Sequence, residues 1–271
     1  MEGKGKTKTW WLWVLSGAAG VVFDLLPSRG AIACKTVLDG FNGVLVADGY
    51  TVYNSLEKAL SRYGEQLTFD EKKDLPLPDF TLAMCWMHAR RGFYKAEKLG
   101  MRQAGYPLDL IEELYAVEAL AKKNAKGDPS ELLEQRRTLR AERSQEIVRK
   151  LEVWCEAQRV LPKTQLHTAI QFLKNRWKSL KVFLEDPLVP IDNGEAERQI
   201  RGPVVGRKNY DGNRSERGAR VAALMFSLLH TCKVLGVDPY AYLLEAVRIA
   251  RQEPDAVYLP HDHLEKSLQD S

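Results

Sequence analysis

Cysteine is scarce in this chain and scattered. Cys34, Cys85, Cys155 and Cys232 form no CxxC pair, so neither a disulfide framework nor a cysteine-rich zinc site is indicated, and a reducing cytoplasm fits best. The apolar run at the start is short of membrane length too. The opening stretch MEGKGKTKTWWLWVLSGAAGVVFDLL couples a basic start to an apolar run, and AIAC beyond it loosely imitates a lipoprotein cleavage site. Asp24, Pro27 and Arg29 interrupt that run before Cys34, leaving it short of the ~20 residues of a membrane span. Two consecutive strands explain it better, and no membrane partner is expected. Charge of one sign is also lacking: 40 Lys plus Arg stand against 36 Asp plus Glu, a net charge of +4. That balance permits a polyanionic partner without demanding one, so the distribution of charge matters more than its total. What the chain does have is apolar content, 45% of 271 residues, enough to fill the core of one large domain or two small ones.

The first hundred residues read as strand, strand, helix, strand, helix, strand. Thr9 to Ser16 and Val21 to Leu26 flank the turn GAAG as a β-hairpin. In AIACKTVLDGF, Ile32, Val37, Leu38 and Phe41 can share a helical face. GVLVAD is a short continuous apolar run ending in Asp48 and Gly49, as a buried strand and its turn would be. TVYNSLEKAL reads as helix, and TLAMCWMHARR begins as another buried strand. From about Gly100 the texture changes to long charged helices without repeats or low-complexity tracts. Leu108, Ile111, Leu114, Tyr115 and Leu120 mark the first helix, and GDPS is a break at which Asp128, Pro129 and Ser130 suit a new start. The second helix runs past Leu132, Leu139, Ile147, Leu151 and Trp154. Its middle, EQRRTLRAERSQE, is nearly all charged and is expected to project into solvent or toward a partner. A third helix is expected over Thr164 to Glu185. After the break DPLVP, the stretch GPVVGRKNYDGNRSERG reads as a surface loop rich in Gly and Arg. An apolar helix over Val221 to Leu235 follows, ended by Gly236, and Asp238 with Pro239 can start the next. The polar tail from Arg251, with HDH at 261–263, reads as peripheral.

The stretch IDNGEAERQIR, Ile191 to Arg201, supports two readings. Locally, Asp192 or Asn193 can cap a helix, Glu195 stands where a capping box wants an acid, Glu197 can pair with Arg201, and Ala196 with Ile200 can face a core. Alternatively, one carboxylate is a metal ligand beside a phosphate. Arg198, Arg201, Arg207, Lys208, Arg214, Arg217 and Arg220 crowd the same region, and arginines dock phosphates bidentately. Asp48 supplies a carboxylate at the carboxyl end of a strand, the edge where sites gather. Joined to a Glu on a later helix, it matches two-metal phosphoryl transfer, in which strand and helix carboxylates hold a pair of Mg²⁺ ions. Cys85 and His88 read as strand-end packing that leaves Arg90 and Arg91 near DNA, with half of a zinc site as the alternative. His261 and His263 are weaker metal candidates. Trp10, Trp11 and Trp13 read as cross-strand core, with base stacking as the alternative.

Six ordered blocks carry a resemblance: GKGKTKT with LWV at 3–14, ADGYTVYNSL at 47–56, CWMHARRGFYKA at 85–96, IDNGEAERQIR, GRKN at 206–209 and GVDPYAYL at 236–243. Together they resemble transposases of the insertion sequence 66 family. The resemblance implies a mixed α/β (α+β) ribonuclease H-like core with an Asp, Asp, Glu triad, interrupted by a large helical insertion before the Glu. Carried over, the second acidic ligand falls on Asp48 and the Glu of the DNNxAER motif on Glu197, with Asp192 as second choice for metal. Glu195 sits at the variable place, and Gly194 replaces the second Asn. The family's first catalytic Asp lies on a strand preceding GKGKTKT, with a zinc-binding segment and a helix-turn-helix-like region further upstream. None of these is in the 271 residues. The expectation is therefore a truncated copy, lacking the central first strand and one ligand, with impaired or absent catalysis unless another polypeptide supplies that strand.

The expected organisation is 1–99 as the first part of the core, 100–186 as the helical insertion, 187–252 as the core's return with the Glu-bearing helix and basic loop, and 253–271 as a polar tail. The expected activity is Mg²⁺-dependent cleavage and strand transfer, with Mn²⁺ as a substitute ion. Asp48 and Glu197 would bind metal, and Arg90, Arg91, Arg198, Arg201, Arg207, Lys208 and Arg214 would face DNA. Expected partners are element ends and target DNA, together with a second copy or a full-length transposase, in the nucleoid-associated cytoplasm of a bacterium. The rival expectation is a non-catalytic fragment that binds DNA or a transposase, as regulator or remnant.

Overall fold

The computed structural model describes residues 9–49, 52–53, 55–56, 78–209 and 215–269, with the backbone alone at 207–209. Strands β1 (Trp11–Gly17) and β2 (Gly20–Leu26) form the hairpin, followed by α1 (Ala31–Val37), β3 (Asn42–Ala47) and β4 (Asp79–Met84). Helices α2 (Trp86–Lys98), α3 (Gly105–Ala125) and α4 (Pro129–Leu139) come next, with a short 3-10 turn at Arg102–Ala104. A π-turn at Arg140–Ser144 joins α4 to α5 (Gln145–Ala157), and α6 (Gln165–Lys174) and α7 (Trp177–Glu185) complete the helical stretch. The chain ends in α8 (Gly194–Asn209), α9 (Glu216–Leu235), α10 (Pro239–Gln252) and α11 (Pro260–Gln269). Helix and strand are thus mixed, and the chain divides into two compact units: Leu38–Asn193, and the residues up to Val37 together with those from Gly194 onward.

In the discontinuous unit, β1 and β2 pair antiparallel, Trp11 opposite Leu26 and Ser16 opposite Val21. Val21, Phe23 and Ala223 form its first small core, packed by Leu12, Val14 and Phe226. The outer edge of β2 is closed by side chains of α9. Thr231 Oγ1 accepts from Val21 N at 3.0 Å and donates to Val21 O at 3.1 Å, while Ser227 Oγ accepts from Phe23 N at 2.9 Å. In an antiparallel ribbon alternate residues turn their N–H and C=O outward, so two hydroxyls one helical turn apart satisfy two successive outward positions. A second core, Cys232, Val237 and Tyr242, draws in Tyr258 and Leu264. The tail is therefore not peripheral. Tyr242 donates to Tyr258 O at 2.9 Å, and Tyr258 Oη lies 3.1 Å from His263 Nδ1, which ties α11 to α10. Gly236 ends α9, and Asp238 caps α10 by accepting from Tyr240 N, as their residue types indicate.

In the continuous unit, β3 and β4 pair parallel, Asn42 opposite Asp79 and Ala47 opposite Met84. A core extends from Ala47 through Leu82, Trp86, Phe93, Ile111, Leu114, Leu151 and Leu173 to Ile191. β3 is less buried than its sequence indicates, because in a two-stranded sheet Val44, Leu45 and Val46 remain half exposed. Asp128 caps α4 with bonds from Ser130 N and Glu131 N, as expected. All four cysteines are free and buried, and burial pushes the Cys34 thiol to about 11 and Cys155 to about 12.

Four further expectations are corrected. The face Ile32, Val37, Leu38 and Phe41 does not form: α1 ends at Val37, buries Ala33 and Cys34, and leaves Ile32 exposed, with Asp39 in the turn beyond. The charged middle of the second helix projects into solvent only in part: Glu134, Arg137, Glu142, Arg143 and Glu146 are exposed, but Arg140 and Ser144 are buried and Arg136 and Arg140 both pair with Glu118 of α3. The third helix is two, α6 and α7, broken at Asn175 and Arg176. Residues 202–209 are not a loop but the second half of α8, with Pro203 inside the helix. Of TVYNSLEKAL, Val52, Tyr53, Ser55 and Leu56 are helical and the rest lies outside the described residues.

Candidate functional site

Asp48 follows the last residue of β3 and is half-buried. The strand ends are locked side by side, since Cys85 N donates to Ala47 O at 3.0 Å. One residue on, Trp86 N donates to Ile191 O at 3.1 Å, which draws the segment before Gly194 to the same end of the parallel pair. Asp48, Cys85 and Asp192 therefore gather at the carboxyl edge of β3 and β4. The glycine after Asp48 has a steric reason: a Cβ on Gly49 would stand 2.7 Å from the ring of Phe172. That close approach fixes the backbone beside the carboxylate.

Cys85 occupies the N-cap position of α2. It is fully buried, and burial raises its pKa, opposed by the backbone N–H groups of Asn193, His88 and Met87 and assisted by the Asp192 charge. A protonated, enclosed thiol of this kind packs and does not attack. Tyr115 of α3 has its pKa raised first by burial and then by the Asp192 carboxylate beside it. Asp192 is thus flanked by a phenol from the helical stretch, a neighbour its motif does not reveal. Arg90 is half-buried with its guanidinium carbon 5.9 Å from the Tyr94 ring centroid, whereas Arg91 is exposed.

The second half of the motif belongs to α8 in the other unit. Glu195 does not turn back toward a capping box: its carboxylate pairs with Arg198 and accepts from Gln199 Nε2 at 2.7 Å. The Arg198 bond is the main reason its pKa is lowered. Glu197, Arg198 and Arg201 are exposed. An exposed pair such as Glu195–Arg198 contributes little stability and can exchange for phosphate. Gln199 bonds His230 of α9, whose Nδ1 lies 2.6 Å from Gln199 Oε1. Neither residue carried a sequence signal, since His230 sits in an apolar run and Gln199 in a motif read for its charges. The side chains of Arg207 and Lys208, and Arg214 altogether, lie outside the described residues.

Carboxylate oxygens suit a hard divalent ion, and Mg²⁺ is usually held by one or two of them alongside water and phosphate. Among the described residues no three of His, Cys, Asp and Glu converge as a metal cage. Asp48 and Asp192 lie in one unit and Glu197 in the other.

A family model described as "Transposase IS66 family" matches residues 1–221. Among curated relatives, uncharacterized protein y4qI of Sinorhizobium fredii is 34% identical over 265 residues, covering 93% of this chain and 46% of its own length. Uncharacterized protein y4jD of the same organism is 28% identical over 259 residues, covering 90% of this chain and 47% of its own. The chain thus spans about half the length of the curated relatives it matches. No solved structure matches.

Proposed function

The chain belongs to the IS66 transposase family, and from that premise we propose that it provides the catalytic core of an Asp-Asp-Glu transposase that cleaves DNA at element ends and joins the freed 3′ hydroxyl to target DNA. One observation carries the reading: the carboxylate of Asp48 stands at the carboxyl end of a parallel strand pair, with Asp192 brought to the same edge by the Trp86–Ile191 bond. The element order supports a ribonuclease H-like core, with a hairpin, a helix and a parallel pair, then the helices α3 to α7, then α8 with Glu197 in its first turn. In such a core a further strand bearing the remaining acidic ligand would come from sequence outside these 271 residues.

Each side chain has a role in this proposal. Asp48 and Glu197 offer hard oxygen donors, with Asp192 as the substitute for Glu197. Mg²⁺, when bound, supplies polarisation of the scissile phosphate and stabilises the leaving oxygen. Arg198 and Arg201 neutralise phosphate charge from an exposed helix face, and Arg90 and Arg91 do so beside the strand ends. The partner is DNA in the bacterial cytoplasm.

The test is a Mg²⁺-dependent cleavage assay on element-end DNA, with Asp48→Ala and Glu197→Ala placed in the full-length transposase. Loss of cleavage with DNA retention preserved is expected, and cleavage at the parent rate in either variant overturns the assignment. A second reading, a fragment that binds DNA or a transposase without cleaving, draws on the exposed arginines alone, Arg91, Arg198 and Arg201. It predicts DNA retention by the 271-residue chain with no cleavage at any Mg²⁺ or Mn²⁺ concentration.

A further inference from the structure

The turn from Gln199 to Pro203 is the weak point of α8. Pro203 has no N–H to give the Gln199 carbonyl, so the helix lacks a rung there. His230 of α9 stands against this same turn. Gln199 Nε2 donates to Glu195 at 2.7 Å, which identifies Gln199 Oε1 as the acceptor facing His230 Nδ1 at 2.6 Å, and Nδ1 as the nitrogen that carries the proton. The other ring nitrogen faces Gly202, where a Cβ would lie 3.4 Å from Nε2. The imidazole is itself held edge-on by Phe23 of the hairpin at 5.1 Å and Phe226 at 6.1 Å between ring centroids. Burial, and then Lys233, lower the His230 pKa, which favours the neutral ring this bonding uses.

The tether has a consequence for the opposite side of the helix. Glu197 precedes Gln199 by two residues and Arg201 follows it by two, a rotation of about 200° in either direction. Both are exposed, whereas Gln199 is half-buried and Pro203 buried. We propose that His230 is a positioning residue: by holding Gln199 at the proline turn it sets the rotation of α8 and keeps Glu197 and Arg201 on the face that meets metal and phosphate. What that face does rests on the transposase reading above, while the tether stands on the geometry alone.

The full 271-residue chain serves for the test, by hydrogen exchange over α8 and by retention of duplex DNA. His230→Leu keeps an apolar side chain against Phe23 and Phe226 but loses the donor, whereas His230→Asn keeps a donor near the position of Nδ1. His230→Leu is expected to speed exchange in α8 and to weaken DNA binding roughly 5-fold, the equivalent of one net hydrogen bond. His230→Asn should restore both. Parent-like α8 exchange in His230→Leu overturns the proposal, and so does an Asn variant no better than Leu. Should His230→Leu also loosen α9 and α10, Gln199→Leu decides, because it removes the same bond from α8 itself and must reproduce the α8 effect alone. Arg201→Ala separates the two layers: parent-like DNA affinity there sinks the phosphate-facing role, while the exchange data still judge the tether.

Discussion

Glu118 is 5% exposed and faces two arginines at once, Arg136 at 3.0 Å and Arg140 at 2.7 Å. The surplus positive charge is placed at the carboxyl end of α7. Arg140 Nη1 donates to Phe183 O at 2.5 Å and Asp186 O at 3.1 Å, and Arg136 Nη1 to Pro187 O at 3.2 Å. Phe183 O is a carbonyl of the last turn of α7, unpaired within the helix, and carries its partial negative charge, and Asp186 O and Pro187 O lie just beyond that turn, so one carboxylate and one helix terminus balance two guanidinium groups. The π-turn at Arg140–Ser144 adds the extra residue that aims Arg140 inward. Removing the acid leaves one buried and one half-buried cation without their carboxylate. Glu118→Leu is therefore expected to cost about 3–5 kcal/mol, read as a lower urea midpoint, whereas Glu134→Ala, which breaks the exposed pair with Arg137, should stay within ~1 kcal/mol. Equal midpoints for the two variants would contradict the account. No reading of EQRRTLRAERSQE alone could have found this arrangement, because the partner lies on another helix and a buried charge has the same letter as a solvated one.

Among the secondary elements, those that local chemistry determines were legible and those that tertiary packing determines were not. The hairpin followed from two apolar runs about GAAG, and the ends of α4, α9 and α10 from Asp128, Gly236 and Asp238. Asp48 was legible for the same reason, as the acid that ends an apolar run. The second half of α8 was not: Gly202 and Pro203 announce a break, but Pro203 is buried and the turn is held by His230. The split between α6 and α7 is equally silent, since the apolar spacing continues across Asn175 and Arg176. The closed edge of β2 belongs to this scale as well. Ser227 and Thr231 lie in an apolar helix that meets the length and composition of a membrane span, yet their hydroxyls serve the outward N–H and C=O groups of Val21 and Phe23. Thr231→Val keeps the shape and removes the bonds. Leaving Val21 N–H and C=O buried without them should cost about 1–3 kcal/mol and open a strand edge to self-association. Urea titration and concentration-dependent light scattering measure both. As a control, Thr36→Val loses only a bond to Ile32 O on the exposed face of α1, and a midpoint for Thr231→Val no lower than that control would refute the edge-closing role.

The two units of the whole molecule differ in how the chain builds them. Leu38–Asn193 is continuous, and every member of its core from Ala47 to Ile191 lies within it. The other unit is assembled from both ends: Val21 and Phe23 pack on Ala223, and Val21 bonds Thr231 across 210 residues of sequence. The continuous unit should therefore fold when excised as residues 38–193, with a cooperative urea transition and a smaller m-value than the whole chain, since less surface is exposed on unfolding. The hairpin segment up to Val37, cut from α9, should show no strand signal, because an isolated two-stranded ribbon is marginal in water. The same cut divides the proposed function. The excised unit keeps Asp48, Arg90 and Arg91 but loses Glu197, Arg198 and Arg201, so the slope of log affinity for DNA against log salt should shrink by about 1 for each phosphate that is no longer neutralised. A slope equal to that of the whole chain would assign phosphate binding to α2 and its surroundings and remove α8 from the DNA face, whereas an excised unit without a cooperative transition would show that its core needs the segments on either side.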